Sequence, residues 1–195
     1  GYGNNEENEV EEARIWIDGQ AYNKLSQDND DKNKNGDYPA LANDIASDGD
    51  NWWCVGQERN SGVGYLPKVW INRSNNNLKR EGPASSLTCI KYENGTFYIG
   101  GNDGYHAMYW SATQKSSKEN RINNCQEYDL SSGVTQAKVD DIDVLNGIVV
   151  CCGYERSATG SNIPKLWING SEYPLGEQLN NYSNVRPCAV AIVKR

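Results

Sequence analysis

The chain has 195 residues, 10% of them aromatic and 23% charged, with a net charge of −7 and a pI near 4.8. One domain with a substantial core is expected at this length. The acidic balance excludes the electrostatic footprint of a nucleic-acid or anionic-membrane binder, and no span approaches the roughly 18 apolar residues of a transmembrane helix.

In chain order, Gly1-Tyr2-Gly3 reads as the tail of a strand, and Glu6, Glu7, Glu9, Glu11 and Glu12 form a solvated acidic run after it. Arg14-Ile15-Trp16-Ile17-Asp18-Gly19 is the first copy of a phrase that returns as Lys68-Val69-Trp70-Ile71-Asn72, Met108-Tyr109-Trp110 and Lys165-Leu166-Trp167-Ile168-Asn169-Gly170. Each later copy has matching material upstream. Ile45, Ile90 and Ile142 stand eleven residues before Gly56, Gly101 and Gly153. From that Gly to Trp is fourteen residues in the second and fourth units and nine in the third. Asn-Gly and Asp-Gly pairs between β-branched runs are hairpin signals, because both turn residues need φ > 0. No stretch keeps a 3.6-residue period with caps, so helix is expected to be negligible.

Four antiparallel strands per unit, recurring at 40 to 57 residues from Trp to Trp, give an all-β chain and fit the blades of a β-propeller. The repeat units span approximately 40–80, 84–130 and 137–178, with 1–26 and 185–195 together forming the fourth. On this reading one domain covers 1–195, and Trp16, Trp70, Trp110 and Trp167 are inter-blade core rather than a ligand-binding row. Residues 188–195 match the first strand of the fourth unit, and residues 1–3 match the end of a second strand, so the shared blade lacks about five residues. A fragment of a larger ring and a processed chain both account for this. Lys194-Arg195 resembles the product of a trypsin-like cut, the first residue is Gly1 rather than Met, and no signal peptide is visible, as expected where one has been removed. A blade short of one strand exposes unpaired N–H and C=O groups that a neighbouring molecule's strand can fill, a head-to-tail contact that produces filaments if it does not close.

Six cysteines lack the Cys-x-x-Cys of a zinc site. The spacing predicts staples Cys54–Cys89 and Cys152–Cys188, with Cys125–Cys151 by elimination; buried free thiols are the alternative. Asn72, Asn94, Asn169 and Asn181 head Asn-x-Ser/Thr sequons. Asp31-x-Asn33-x-Asn35-Gly36, flanked by Asp28 and Asp37, matches the opening of a calcium loop. Ala42 stands where the bidentate acid of an EF-hand belongs, so a Ca²⁺ site competes with a polar inter-blade loop. No other cofactor is expected. The single histidine, His106, leaves little material for a nucleophilic pair and reads as structural. Glu58 with Lys68, and Glu155 with Lys165, are expected to form cross-strand ion pairs.

The phrase Gly-Tyr-Glu … Pro-Lys-Leu-Trp-Ile-Asn-Gly … Leu, best preserved over residues 153–175, resembles a repeat of secreted and surface-lipoprotein chains of Bacteroidota and related bacteria. That resemblance implies an extracellular or cell-surface β-propeller-like protein, and it carries over no catalytic residue. The leading expectation is a non-catalytic structural or interaction module that assembles with itself or a neighbouring protein through an open strand slot. The alternative is a carbohydrate-binding lectin that stacks Trp52, Tyr65, Tyr105 or Tyr182 on sugar rings. An enzyme on the same scaffold ranks last.

Overall fold

The computed structural model describes residues 2–4, 11–25, 39–60, 64–72, 74–76, 78, 85–116, 119–175 and 185–194. These residues are all-β, without helix, in fifteen strands. The first sheet holds β1 (Tyr2–Asn4), β2 (Glu11–Ile17) and β3 (Gln20–Lys24). The second holds β4 (Ala40–Ser47), β5 (Trp52–Asn60), β6 (Gly64–Ile71) and β7 (Ser74–Asn76). The third holds β8 (Ser86–Glu93), β9 (Thr96–Asp103), β10 (His106–Ser116) and β11 (Glu119–Asp129). The fourth holds β12 (Ala137–Leu145), β13 (Ile148–Arg156), β14 (Asn162–Ile168) and β15 (Ser171–Tyr173). Each sheet is an antiparallel meander in chain order.

The turn chemistry is the one the sequence announces. Asn146-Gly147 and Asn169-Gly170 have φ of 53°, 77°, 49° and 83°, the left-handed pair that a two-residue hairpin matched to strand twist requires. The repeated glycine has a different cause. The first strand of each complete sheet carries a register shift, between Ala42 and Asp44, Leu87 and Cys89, and Val139 and Asp141. This β-bulge drives a carbonyl toward the second strand. A Cβ on Gly56, Gly101 or Gly153 would lie 1.9–2.0 Å from the oxygen of Leu41, Ser86 or Lys138.

The sheets stack in sequence order, first on second, second on third, third on fourth. Side-chain alternation fixes which face meets which neighbour. Trp70 and its cross-strand partner Cys54 face the first sheet, packing with Ala13 and Ile15. Trp110 and Ile99 face the second sheet's Trp53, Val55, Val69 and Ile71. Trp167 and Cys151 face the third sheet's Tyr109 and Ala107. Each of these tryptophans is at most 2% exposed. Trp16 departs from the expectation. It is 47% exposed, because its face points to where a preceding sheet would lie and none of the described residues covers it. Among those residues the fourth sheet does not pack on the first to the extent seen between successive sheets, so the stack is not closed into a ring.

Candidate functional site

The site begins with an edge. β1 pairs with β2 only through Tyr2↔Ala13, Gly3↔Glu12 and Asn4↔Glu11. Tyr2 thereby holds the register position that Tyr154 holds in β13, opposite the residue three before Trp. In the other sheets the second strand runs on past the tryptophan. On the β1 side of β2, no strand among the described residues is in register with 15–17. Leaving such backbone unpaired creates an adhesive edge.

The side chains around this edge are apolar and uncovered. Ile17 is 42% exposed and Ile45 is 47%, whereas Ile71, Ile90 and Ile142 are at most 1% exposed and Ile168, at the equivalent position of the fourth sheet, is half-buried. Ile90 is buried in the cluster that holds Trp53, and Ile142 in the one against which Tyr98 packs, both side chains of the preceding sheet's second strand. Ile45 lacks that neighbour. A cavity of about 200 Å³ lies at the site, lined by Arg14, Ile15, Trp16, Asp44, Ile45 and Cys54. Two residues after Trp16, Asp18 has φ of 50° and takes the place of Asn72 and Asn169. Those two asparagines clasp the missing strand's counterparts: the N–H of Trp52 donates to Asn72 Oδ1 at 3.0 Å, and that of Val149 to Asn169 Oδ1 at 2.9 Å.

A second feature lies on the fourth sheet. Residues 185–194 form no ladder, yet they run beside β12. Val190 N–H donates to Asp141 Oδ2 at 2.8 Å, and Ile192 N–H to Asp143 Oδ2 at 2.6 Å. Ile90 N–H makes the same bond to Asp44 Oδ2 at 2.8 Å. Val190 therefore stands to the fourth sheet as Ile90 stands to the second, in the position of a further first strand. Arg186 pairs with Asp140 and lies over the Tyr154 ring, 4.8 Å from its centroid. The Asp140 carboxylate is the main cause of a raised Arg186 pKa.

The cysteines depart from the expected staples. None of the six is in a disulfide. Cys54 belongs to the core between the first and second sheets, Cys89 and Cys151 to that between the third and fourth, and Cys125 packs against the one between second and third. Equal spacing along the repeat placed Cys54 and Cys89 at equivalent depths of different interfaces rather than facing each other. Cys152 is buried and Cys188 exposed, and they too are unbonded. Burial pushes the Cys54 thiol up to about 12 and Cys152 to about 11, and raises Cys89 and Cys151 as well. Thiols so raised stay protonated near neutral pH and are poor nucleophiles.

The remaining candidates are dispersed. His106 Nδ1 lies 2.7 Å from Asp129 Oδ2, and its ring sits where a Cβ on Gly133 would be 2.1 Å from Nε2, a packing role. Lys68 and Glu58 approach to 3.6 Å, both buried, and Lys165 and Glu155 to 3.4 Å. Asn94 and Asn169 are exposed, whereas the half-buried Asn72 donates to Asn51 Oδ1 at 2.6 Å and Asn120 Oδ1 at 3.2 Å. Trp52 begins β5 and Tyr65 stands near the start of β6, at opposite ends of the second sheet, while Tyr105 lies in the turn between β9 and β10 of the third. Asp28, Asp31, Asn33, Asn35, Asp37, Asn181 and Tyr182 lie outside the described residues. No His/Cys/Asp/Glu group among the described residues is arranged to hold a metal ion, and no helix there is long and apolar enough to cross a membrane. Sequence reasoning missed Ile45, Ile17 and Asp18; the broken second strand was the available signal. Compared with family models and with curated proteins, the chain matches none.

Proposed function

We propose that this chain is a non-catalytic, extracellular β-propeller of four blades, a structural and interaction module that builds filaments by taking a strand into its incomplete blade. The observation that carries the reading is the apolar edge at Ile17 and Ile45, 42% and 47% exposed, where Ile71, Ile90 and Ile142 in the other sheets are buried. An edge of this kind is what proteins ordinarily blunt with charge or proline. The uniform direction of stacking supports a ring, since Trp70, Trp110 and Trp167 each face the sheet before theirs and Trp16, at the equivalent position, faces none among the described residues. The exposed sequons at Asn94 and Asn169 and the resemblance to secreted repeat chains support the extracellular placement. The test is electron microscopy and sedimentation of the 195-residue chain over rising concentration. Fibres or growing oligomers are expected; a monomer at every concentration overturns the proposal.

A polar cleft of about 690 Å³ favours the lectin as second reading. It is lined by Ser74, Asn75, Asn76, Glu119, Asn120 and Arg121, with Ile122, between the outer strands β7 and β11. Amide and charged groups of this kind hydrogen-bond sugar hydroxyls, but the loop aromatics proposed to stack on sugars do not line it. Glycan-array binding lost on Arg121→Ala would move the assignment to this cleft.

A further inference from the structure

β10 and β11, eleven residues each, are the longest strands described. Two bulges, between Ser111 and Thr113 and between Gln114 and Ser116, bend this hairpin, and its far end lies over the second sheet. Gln114 Oε1 accepts the Trp53 indole N–H at 3.2 Å, and Ile122 packs against the core that holds Trp53. The cleft of about 690 Å³ lies between that end and β7.

Amides fix its two walls. Asn76 Nδ2 donates to the Asn120 carbonyl at 3.0 Å, and the Ile122 N–H donates to Asn76 Oδ1 at 3.4 Å. Asn72 Nδ2 donates to Asn120 Oδ1 at 3.2 Å. Asn76 thereby occupies backbone groups through which a peptide strand would pair with β11, so a ligand here is held by side chains. Asn75 Nδ2 donates to Glu58 Oε2 at 3.4 Å. What remains are Asn75 Oδ1, Asn120 Nδ2 and the Ser74 hydroxyl, none with a partner among the described residues. These are an acceptor, a donor and a group that is both, a set that matches sugar hydroxyls. Among the described lining residues only Ile122 is apolar, which leaves little to hold an apolar ligand.

The charge here runs against that of the chain. Residues 73–81 and 115–121, the stretches of sequence that carry the two walls, hold six of the 19 Lys and Arg and two of the 26 Asp and Glu, in a chain of net charge −7. Glu119 is neutralised: Lys115 Nζ lies 2.8 Å from its Oε2, and that hydrogen bond is the main cause of a lowered Glu119 pKa, with Arg121 a lesser one. Arg121 is exposed and forms no ion pair with a described residue. A guanidinium in this state offers a two-pronged donor to a planar carboxylate. Screening limits the repulsion from the rest of the chain to about 8 Å at physiological salt, so the local charge decides.

We infer that the cleft between β7 and β11 binds an acidic carbohydrate, with Arg121 holding the carboxylate of a uronic-acid ring and Asn75, Asn120 and Ser74 its hydroxyls. The inference rests on the lectin reading of this cleft and names its ligand class.

The experiment is a glycan array probed with the full 195-residue chain, on which uronic-acid tetrasaccharides stand beside their methyl esters and beside neutral glycans. Esterification removes the charge and keeps the ring. The acid should bind about tenfold more tightly than the ester. Arg121→Gln, at an exposed position, should leave the circular dichroism spectrum unchanged and bind acid and ester alike. A preference for the acid that survives Arg121→Gln, or equal binding of acid and ester by wild type, overturns the inference. Neutral glycans bound alone, and lost on Arg121→Ala, overturn it too but leave the lectin reading standing; an array with no binding removes both. Tetraglutamate in solution separates the sugar from its charge. It should compete about tenfold less well than free tetragalacturonate. Equal competition reduces the cleft to a general anion site and overturns the carbohydrate class.

Discussion

At the residue scale, the recurrent glycine shows how a pattern can be visible while its cause is not. Gly56, Gly101 and Gly153 align in the sequence at fixed distances from Ile and Trp. None has positive φ, so the requirement is steric rather than conformational. The bulged first strand aims a carbonyl at the site, leaving about 2 Å for a Cβ. Gly153→Ala should cost about 1–3 kcal/mol or more by forcing that carbonyl aside, read as a lowered midpoint in urea; an unchanged midpoint would show that the bulge relaxes freely. Asp48 offers a pH test. Burial alone would raise its pKa, but hydrogen bonds donated by Asn51 and Asp50 outweigh it and lower the value below 3.8. A carboxyl lowered by folding contributes stability that is present above the unfolded value and lost as pH falls through the folded one. Melting temperature should accordingly drop between pH 4 and 2 more steeply in wild type than in Asp48→Asn, which keeps an acceptor but does not titrate; parallel curves would remove the assignment.

At the element scale, the ion pair between β5 and β6 was legible because Glu58 and Lys68 flank a hairpin whose register follows from the Trp–Gly spacing. Its burial was not legible, since that depends on the neighbouring chain around β7, from which Asn75 donates to Glu58 at 3.4 Å. Breaking a buried pair leaves an uncompensated charge, so Glu58→Ala should cost about 3–5 kcal/mol, whereas Glu58→Leu with Lys68→Met should cost far less. Urea melts of the single and double variants give the comparison. A loss in the double variant as large as in Glu58→Ala would show that the orphaned Lys68 carries no penalty. The cysteines show the limit of the same reasoning. A repeat fixes depth within a sheet, yet the interface that a strand residue faces depends on parity, and a spacing of 35 residues does not reveal it. Iodoacetamide under native conditions should modify Cys188 first and spare Cys54, Cys89, Cys151 and Cys152 until the chain is unfolded without reductant. Thiols still blocked after unfolding would restore the disulfides.

At the scale of the whole molecule, stability should follow the stacking order. In repeat architectures a unit is held mainly by its neighbours. Among the described residues the second and third sheets are sandwiched on both faces, whereas the first has three strands, is covered on one face, and leaves Trp16 and Ile17 half exposed. The sequence announced this asymmetry through its unequal copies, but it assigned Trp16 to the core because a repeat implies equal surroundings for equal residues. Equal surroundings require a closed stack. Regions with few buried contacts open at a lower free-energy cost than the global transition. Backbone amides of Arg14 to Ile17 should exchange with deuterium well before those of Ile99 and Cys151, which sit in central strands with partners on both sides. Assembly through this edge should then slow exchange selectively at Ile15, Trp16 and Ile17 while leaving β9 and β13 unchanged. Protection of β2 in dilute monomer equal to that of β13 would show that the first sheet is already complete within one molecule, and the open edge would cease to be a place for a second copy to bind.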